Sequence, residues 1–173
     1  MPDVAPISAR PPAGAPGDPV TGHDERGFPL LTSPGRILGL DLGARRIGVA
    51  VSDSDRRLAT GVTAIVRQDP AADHQAVAAF VADYDATAVV VGMPLSLSGE
   101  RGPAARAAAD EVGRLRAVLD VPVHTVDERL TTVQAASGLR AAGRRSRQQR
   151  EVIDQQAAAE LLQTWLERQR AVF

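Results

Sequence analysis

Residues Ile37 to Asp53 read I-L-G-L-D-L-G-A-R-R-I-G-V-A-V-S-D, and the alternation inside this stretch decides the fold. It predicts two strands joined by a tight turn. Leu38, Leu40 and Leu42 form one face, Ile47, Val49 and Val51 another, and Gly43, Ala44 and Arg45 supply the turn. One carboxylate, Asp41, stands within the apolar run. Burying it is costly unless a cation, backbone amides or a metal ion meet it, so Asp41 is a candidate metal-binding or phosphate-side residue. The plainer alternative is an Asx-type turn at a strand end.

Outward from this pair, Leu58 to Val66 reads as a third strand. Asp69 and Pro70 open a helix running to about Tyr84, with Val77, Phe80 and Val81 as its apolar stripe. Ala88 to Val91 reads as a buried strand, followed by a loop from Leu95 to Gly102 and a helix from Pro103 to about Leu119, its proline in the first turn. Val121 to Val126 is a further strand. Thr131 or Thr132 caps a short helix to about Arg140, and the last helix is expected over Glu151 to Arg170. Hairpin strands followed by alternating helices and strands describe an α/β domain, a mixed sheet with helices packed on it.

The 173 residues suit one folded domain, over 35–173. Residues 1–34 hold eight of the twelve prolines and few large apolar side chains, so they are expected to form a disordered tail. There is no cysteine, which excludes disulfide frameworks, thiolate zinc sites and cysteine nucleophiles and agrees with a reducing, cytoplasmic location. No apolar run approaches the roughly 18 residues of a membrane span, and no secretory signal is readable, so no membrane partner is expected. The net charge of −1 leaves nucleic-acid binding to be judged from the distribution. Every basic residue is arginine, and six of them, Arg129, Arg140, Arg144, Arg145, Arg147 and Arg150, crowd a stretch without an acid. This stretch is a candidate phosphate track.

Two other carboxylate positions stand out. In the last helix Asp154 shares a stripe with Ala158 and Leu162, the side that faces the core, although an acid in the first helical turn is an ordinary feature. At the end of the fifth strand Asp127 and Glu128 project to opposite faces, so at most one points where Asp41 points, and alternation does not say which. Acids from these three places could converge across a small sheet. Such a cluster cannot ionise fully without cations, and an oxygen-only donor set suits Mg²⁺ or Mn²⁺, ions that support phosphodiester hydrolysis. His124 is expected to be structural, and His23 and His74 to lie at the surface.

Four segments carry a resemblance: I-L-G-L-D-L-G-A-R-R-I-G-V-A-V-S-D, V-V-V-G-M-P-L-S-L-S-G-E-R-G-P from Val89, D-E-R-L-T-T from Asp127, and I-D-Q-Q-A-A-A-E-L-L from Ile153. In order and spacing they resemble the YqgF/RuvX family over about residues 36 to 168. That family is described as Holliday-junction-resolvase-like and as nucleases for the 5′ end of pre-16S ribosomal RNA. The resemblance implies a ribonuclease H-like fold with a mixed five-stranded sheet flanked by helices. It also implies acidic metal ligands at Asp41, Glu128 and Asp154 and a structured nucleic acid as partner, either pre-16S rRNA or a four-way DNA junction. It selects Glu128 over Asp127. Arg45, Arg46, Arg140, Arg144, Arg145, Arg147 and Arg150 are the candidate phosphate contacts, and a resolvase acting symmetrically would work as a homodimer. Glu100 and Arg101 depart from the small polar residues that relatives often carry. The competing readings are a non-catalytic RNA-binding or ribosome-assembly factor of the same fold, and an actin-like nucleotide binder, for which the chain has one domain where two are needed.

Overall fold

The computed structural model describes residues 35–94, 102–127 and 147–170. The Pro-rich start, the loop around Glu100 and the segment containing Glu128, Arg129, Arg140, Arg144 and Arg145 lie outside these residues, as does the short helix expected after Thr131 or Thr132. The described elements are β1 (Arg36–Leu42), β2 (Arg46–Ser52), β3 (Ala59–Val66), α1 (Pro70–Asp83), β4 (Ala86–Met93), α2 (Pro103–Val118), β5 (Val123–Asp127) and α3 (Arg147–Arg170).

The strands form one mixed sheet in the order β3-β2-β1-β4-β5. β1, β2 and β3 are antiparallel neighbours, while β4 and β5 join parallel to β1. The tight turn after Leu42 allows the antiparallel pairing, and the helical crossovers α1 and α2 return the chain for the parallel one.

The register corrects one expectation. Leu38 pairs with Val51, Leu40 with Val49 and Leu42 with Ile47, so the two apolar sets project from the same face of the sheet rather than from different ones. Directly opposed residues of an antiparallel pair share a face. Together with Val89 and Val91 of β4 they meet Val77 of α1 and Val112 and Leu115 of α2. The other face belongs to α3, where Ile37, Ala50, Ala88, Val90 and Val126 pack against Ala157, Ala158, Leu161, Leu162, Trp165 and Leu166. β1 is therefore covered on both sides, and its alternation assigns Ile37, Gly39 and Asp41 to the α3 face.

α1 begins as its sequence demands. Asp69 accepts hydrogen bonds from the N–H groups of Ala71 and Ala72, each at 3.0 Å, and Pro70 follows in the position where its missing N–H is harmless. α3 departs from expectation by starting at Arg147, four residues before Glu151. Arg147 and Arg150 are thus helical rather than part of a loop, and the first turn holds no acid. His74 also departs, being buried at 4% exposure on α1. His124 is structural in the sense expected. It is buried and stacks on Trp165 with ring centroids 5.7 Å apart.

Candidate active site

The site is assembled where β1, β2 and α3 meet. Asp41 is one residue short of the end of β1, on the α3 face, and retains only 5% exposure. Its cross-strand partner is Gly48 of β2. A side chain at Gly48 would collide with α3, because a Cβ there would stand 2.9 Å from the carbonyl carbon of Asp154 and 3.3 Å from the Cβ of Ala158. The missing Cβ lets the helix backbone rest directly on β2 at the level of Asp41. This brings the carboxylate-bearing turn of α3 beside the carboxylate-bearing end of β1.

Asp154 lies in the third turn of the described helix, its side chain 15% exposed. The first-turn, helix-dipole explanation therefore does not apply to it. Its Oδ2 faces Nη1 of Arg46 at 3.7 Å. Arg46 opens β2 two residues before Gly48, so alternation directs it to the same face. The guanidinium supplies positive charge beside Asp154. Arg46, expected among the phosphate contacts, stands beside the candidate site carboxylate Asp154. Arg45, its neighbour in the turn, is exposed, and Arg150 is exposed one turn before Asp154. Arg147 opens the helix.

β5 ends at Asp127, directly before the expected Glu128. Val126 belongs to the cluster beneath α3 and Val123 to the cluster under α1 and α2. Asp127, in step with Val123 and out of step with Val126, alternates to the face away from Asp41. Glu128 lies outside the described residues.

A groove of about 410 Å³ lies along the start of α3, lined by Gln148, Gln149, Val152 and Ile153. It directly precedes Asp154, and Val152 keeps 50% of its surface exposed. Among the described residues no three histidine, cysteine or acidic side chains group as a metal cage. The pair Asp41 and Asp154 nevertheless fits a hard divalent cation: both donors are carboxylate oxygens, both are largely withdrawn from water, and both stand at one end of the sheet.

Sequence reading did not single out Gly48 or the pairing of Arg46 with Asp154. The available signal for Gly48 was a glycine amid β-branched residues, which often marks a close backbone approach. Nothing local signalled the ion pair, whose members are far apart in the chain.

The profile of the family described as RuvX, Holliday junction resolvase, matches residues 35–168. A curated relative from Anaeromyxobacter sp. (strain K), named "Putative pre-16S rRNA nuclease", is 49% identical over 133 residues, covering 77% of this chain and 97% of the relative. A relative of the same name from Rhodococcus opacus (strain B4) is 49% identical over 160 residues, covering 87% and 90%. Among solved structures, Thermus thermophilus RuvC in complex with a Holliday junction substrate superposes with a TM-score of 0.51 at 16% identity, over 80% of this chain and 97% of that one. RuvC on its own from the same organism gives 0.50 at 15% identity. These two likenesses concern the fold, which is the expected ribonuclease H-like arrangement. The match across residues 35–168 and the close relatives together establish that this chain belongs to the RuvX family of nucleases.

Proposed function

We propose that this chain is a divalent-metal-dependent endonuclease of structured nucleic acid that matures the 5′ end of pre-16S rRNA in the cytoplasm. The observation that supports the reading is the seating of the Asp154 turn of α3 on Gly48, the cross-strand partner of Asp41, which puts acid-bearing segments of separate elements at one end of the sheet. The choice of rRNA precursor rests on the names of relatives at 49% identity, and the family's own description makes a four-way DNA junction the competing substrate.

Asp41 and Asp154 would hold Mg²⁺ or Mn²⁺, with Glu128 as the third acid. The alternation that puts Val126 under α3 and turns Asp127 away favours Glu128 as the contribution of that strand. When bound, the metal supplies Lewis acidity and charge neutralisation at the phosphate. The protein's own share is positional. The buried β1 scaffold holds Asp41 rigidly, and Arg46 balances the charge of Asp154. The exposed Arg45 and Arg150, together with Arg140, Arg144, Arg145 and Arg147, meet backbone phosphates.

The test offers end-labelled pre-16S leader RNA and four-way junction DNA to wild type and to Asp41→Asn, with Mg²⁺ or Mn²⁺ and after chelation. Cleavage of the RNA by wild type alone, lost on chelation and down about 100-fold or more in Asp41→Asn, is expected. Cutting of the junction alone would replace the substrate. RNA binding without cutting by any form would instead support the non-catalytic assembly factor. A homodimer belongs with the junction reading, and sedimentation of the protein with and without junction DNA tests it.

A further inference from the structure

The β1–β2 turn carries Asp41 at its start and Arg45 and Arg46 at its end, so whatever fixes this turn sets the geometry of the site. The residue that grips it is Arg67, which directly follows β3. Its backbone N–H donates to the carbonyl of Arg45 at 3.1 Å, and its Nε donates to the carbonyl of Gly43 at 2.7 Å. The Gly43 N–H in turn donates to the carbonyl of Asp41 at 3.0 Å.

The remainder of the guanidinium is anchored on the opposite side of the sheet from Asp154. Nη1 and Nη2 form a two-pronged contact with Glu111 of α2, at 2.7 Å and 3.0 Å. Nη1 also reaches Oδ2 of Asp73 on α1 at 3.3 Å. Asp73 is 3% exposed and accepts the Gln68 N–H through its other oxygen at 3.0 Å. The buried His74 completes the cluster, with Nε2 3.9 Å from Oε1 of Glu111. Burial disfavours the charge on Arg67, but the hydrogen bonds and charges of Glu111 and Asp73 overcome it and hold the guanidinium firmly protonated. A planar fork matched to a carboxylate fixes direction as well as distance, which a lysine ammonium does not.

We infer that Arg67 is a positioning residue for the nuclease site, a clamp through which α1 and α2 hold the β1–β2 turn and therefore Asp41 and the arginines that follow it. The inference rests on the assignment of Asp41 to the active site. Arg67 acts through two backbone carbonyls and makes no substrate contact in this scheme, so its loss should change turnover and metal affinity rather than substrate affinity.

The experiment compares wild type with Arg67→Lys and Glu111→Gln, and with Val112→Ala as a core variant on the same helix. Three quantities are read: hydrogen exchange of amides in the 42–46 turn, Mn²⁺ affinity by calorimetry on the protein alone, and kcat and KM on the cleaved nucleic acid. In Arg67→Lys the turn is expected to exchange about tenfold faster or more. Mn²⁺ should bind about tenfold more weakly and kcat should fall about 10- to 100-fold with KM within about twofold. Glu111→Gln should shift the same quantities in the same direction. Val112→Ala should lower the melting temperature while leaving turn exchange and Mn²⁺ affinity near wild type. Wild-type turn exchange and Mn²⁺ affinity in Arg67→Lys would overturn the inference. So would equal effects in Val112→Ala, or a raised KM with unchanged kcat. If wild type cleaves nothing, the nuclease reading fails by itself, and exchange and Mn²⁺ affinity still decide whether Arg67 clamps the turn.

Discussion

Adding a single methyl group at Gly48 should disable the site from outside it. The Cβ of Gly48→Ala would stand 2.9 Å from the carbonyl carbon of Asp154, closer still to its oxygen, and 3.3 Å from the Cβ of Ala158. The obstacle is helix backbone, which cannot turn aside as a flexible side chain would. Relief therefore requires α3 to lift from β2 by on the order of 1 Å, carrying Asp154 away from Asp41. Overpacking of this kind costs about 1–3 kcal/mol, or roughly 4 °C in melting temperature for each kcal/mol in a domain of this size. A displacement of about 1 Å at a reacting centre costs about 100-fold in rate. The comparison is Gly39→Ala, whose Cβ would meet the Leu162 Cβ at 2.7 Å, two helical turns beyond Asp154. Its stability loss should be similar and its loss of kcat distinctly smaller. Cleavage kinetics measured well below both melting temperatures, with thermal unfolding alongside, read the two effects separately. Wild-type turnover in Gly48→Ala would refute the reasoning, as would an equal loss of turnover in Gly39→Ala.

Two further predictions concern the core under α3. Burial, aided by the positive charge of Arg116, holds the His124 imidazole below its ordinary 6.5. As pH falls below about 6.5 the unfolded chain takes up this proton before the folded one does, so stability present above that pH is progressively lost beneath it. His124→Phe, which keeps a ring against Trp165, should flatten the fall in melting temperature between about pH 6.5 and pH 5, and an unchanged slope would exclude His124 as its source. Trp165, 1% exposed, fills the centre of the α3 contact. Trp165→Ala should cost about 3–5 kcal/mol in denaturant unfolding, and a loss under about 1 kcal/mol would mean that the helix repacks freely.

The elements that sequence reading located well are those with local signals. Asp69 followed by Pro70 marks the start of α1, Pro103 marks that of α2, and the strict alternation through Leu38, Leu40, Val49 and Val51 marks the hairpin. The start of α3 was harder to see. Ser146 directly before Arg147, with Gln149 three residues on, has the spacing of a capping box, but the dense arginine charge around it resembled a loop. His74 read as a surface residue because its neighbours Asp73 and Gln75 are polar, yet Asp73 is itself buried by Arg67. A polar side chain can be drawn inside by a partner elsewhere in the chain, and no window of sequence contains that partner.

Asp41 was legible as an anomaly, a charge within an apolar run, and Asp154 as an acid on the core-facing stripe of its helix. Residue type and periodicity are sufficient for such statements because both express local backbone geometry. That the Asp154 turn lies against Gly48, the residue opposite Asp41, could not be read from either stretch. It follows from the pairing of Asp41 with Gly48 and the seating of α3 on that glycine. The partner of Asp154, Arg46, and the hold of Arg67 on the turn likewise arise only when β2, β3, α1, α2 and α3 are packed together. By itself the sequence determined the α/β class, the order of most elements and the acids worth suspecting, since these depend on short-range sterics and burial. Tertiary structure alone decided which charges face one another, because that depends on distances between residues that the chain keeps far apart until it folds.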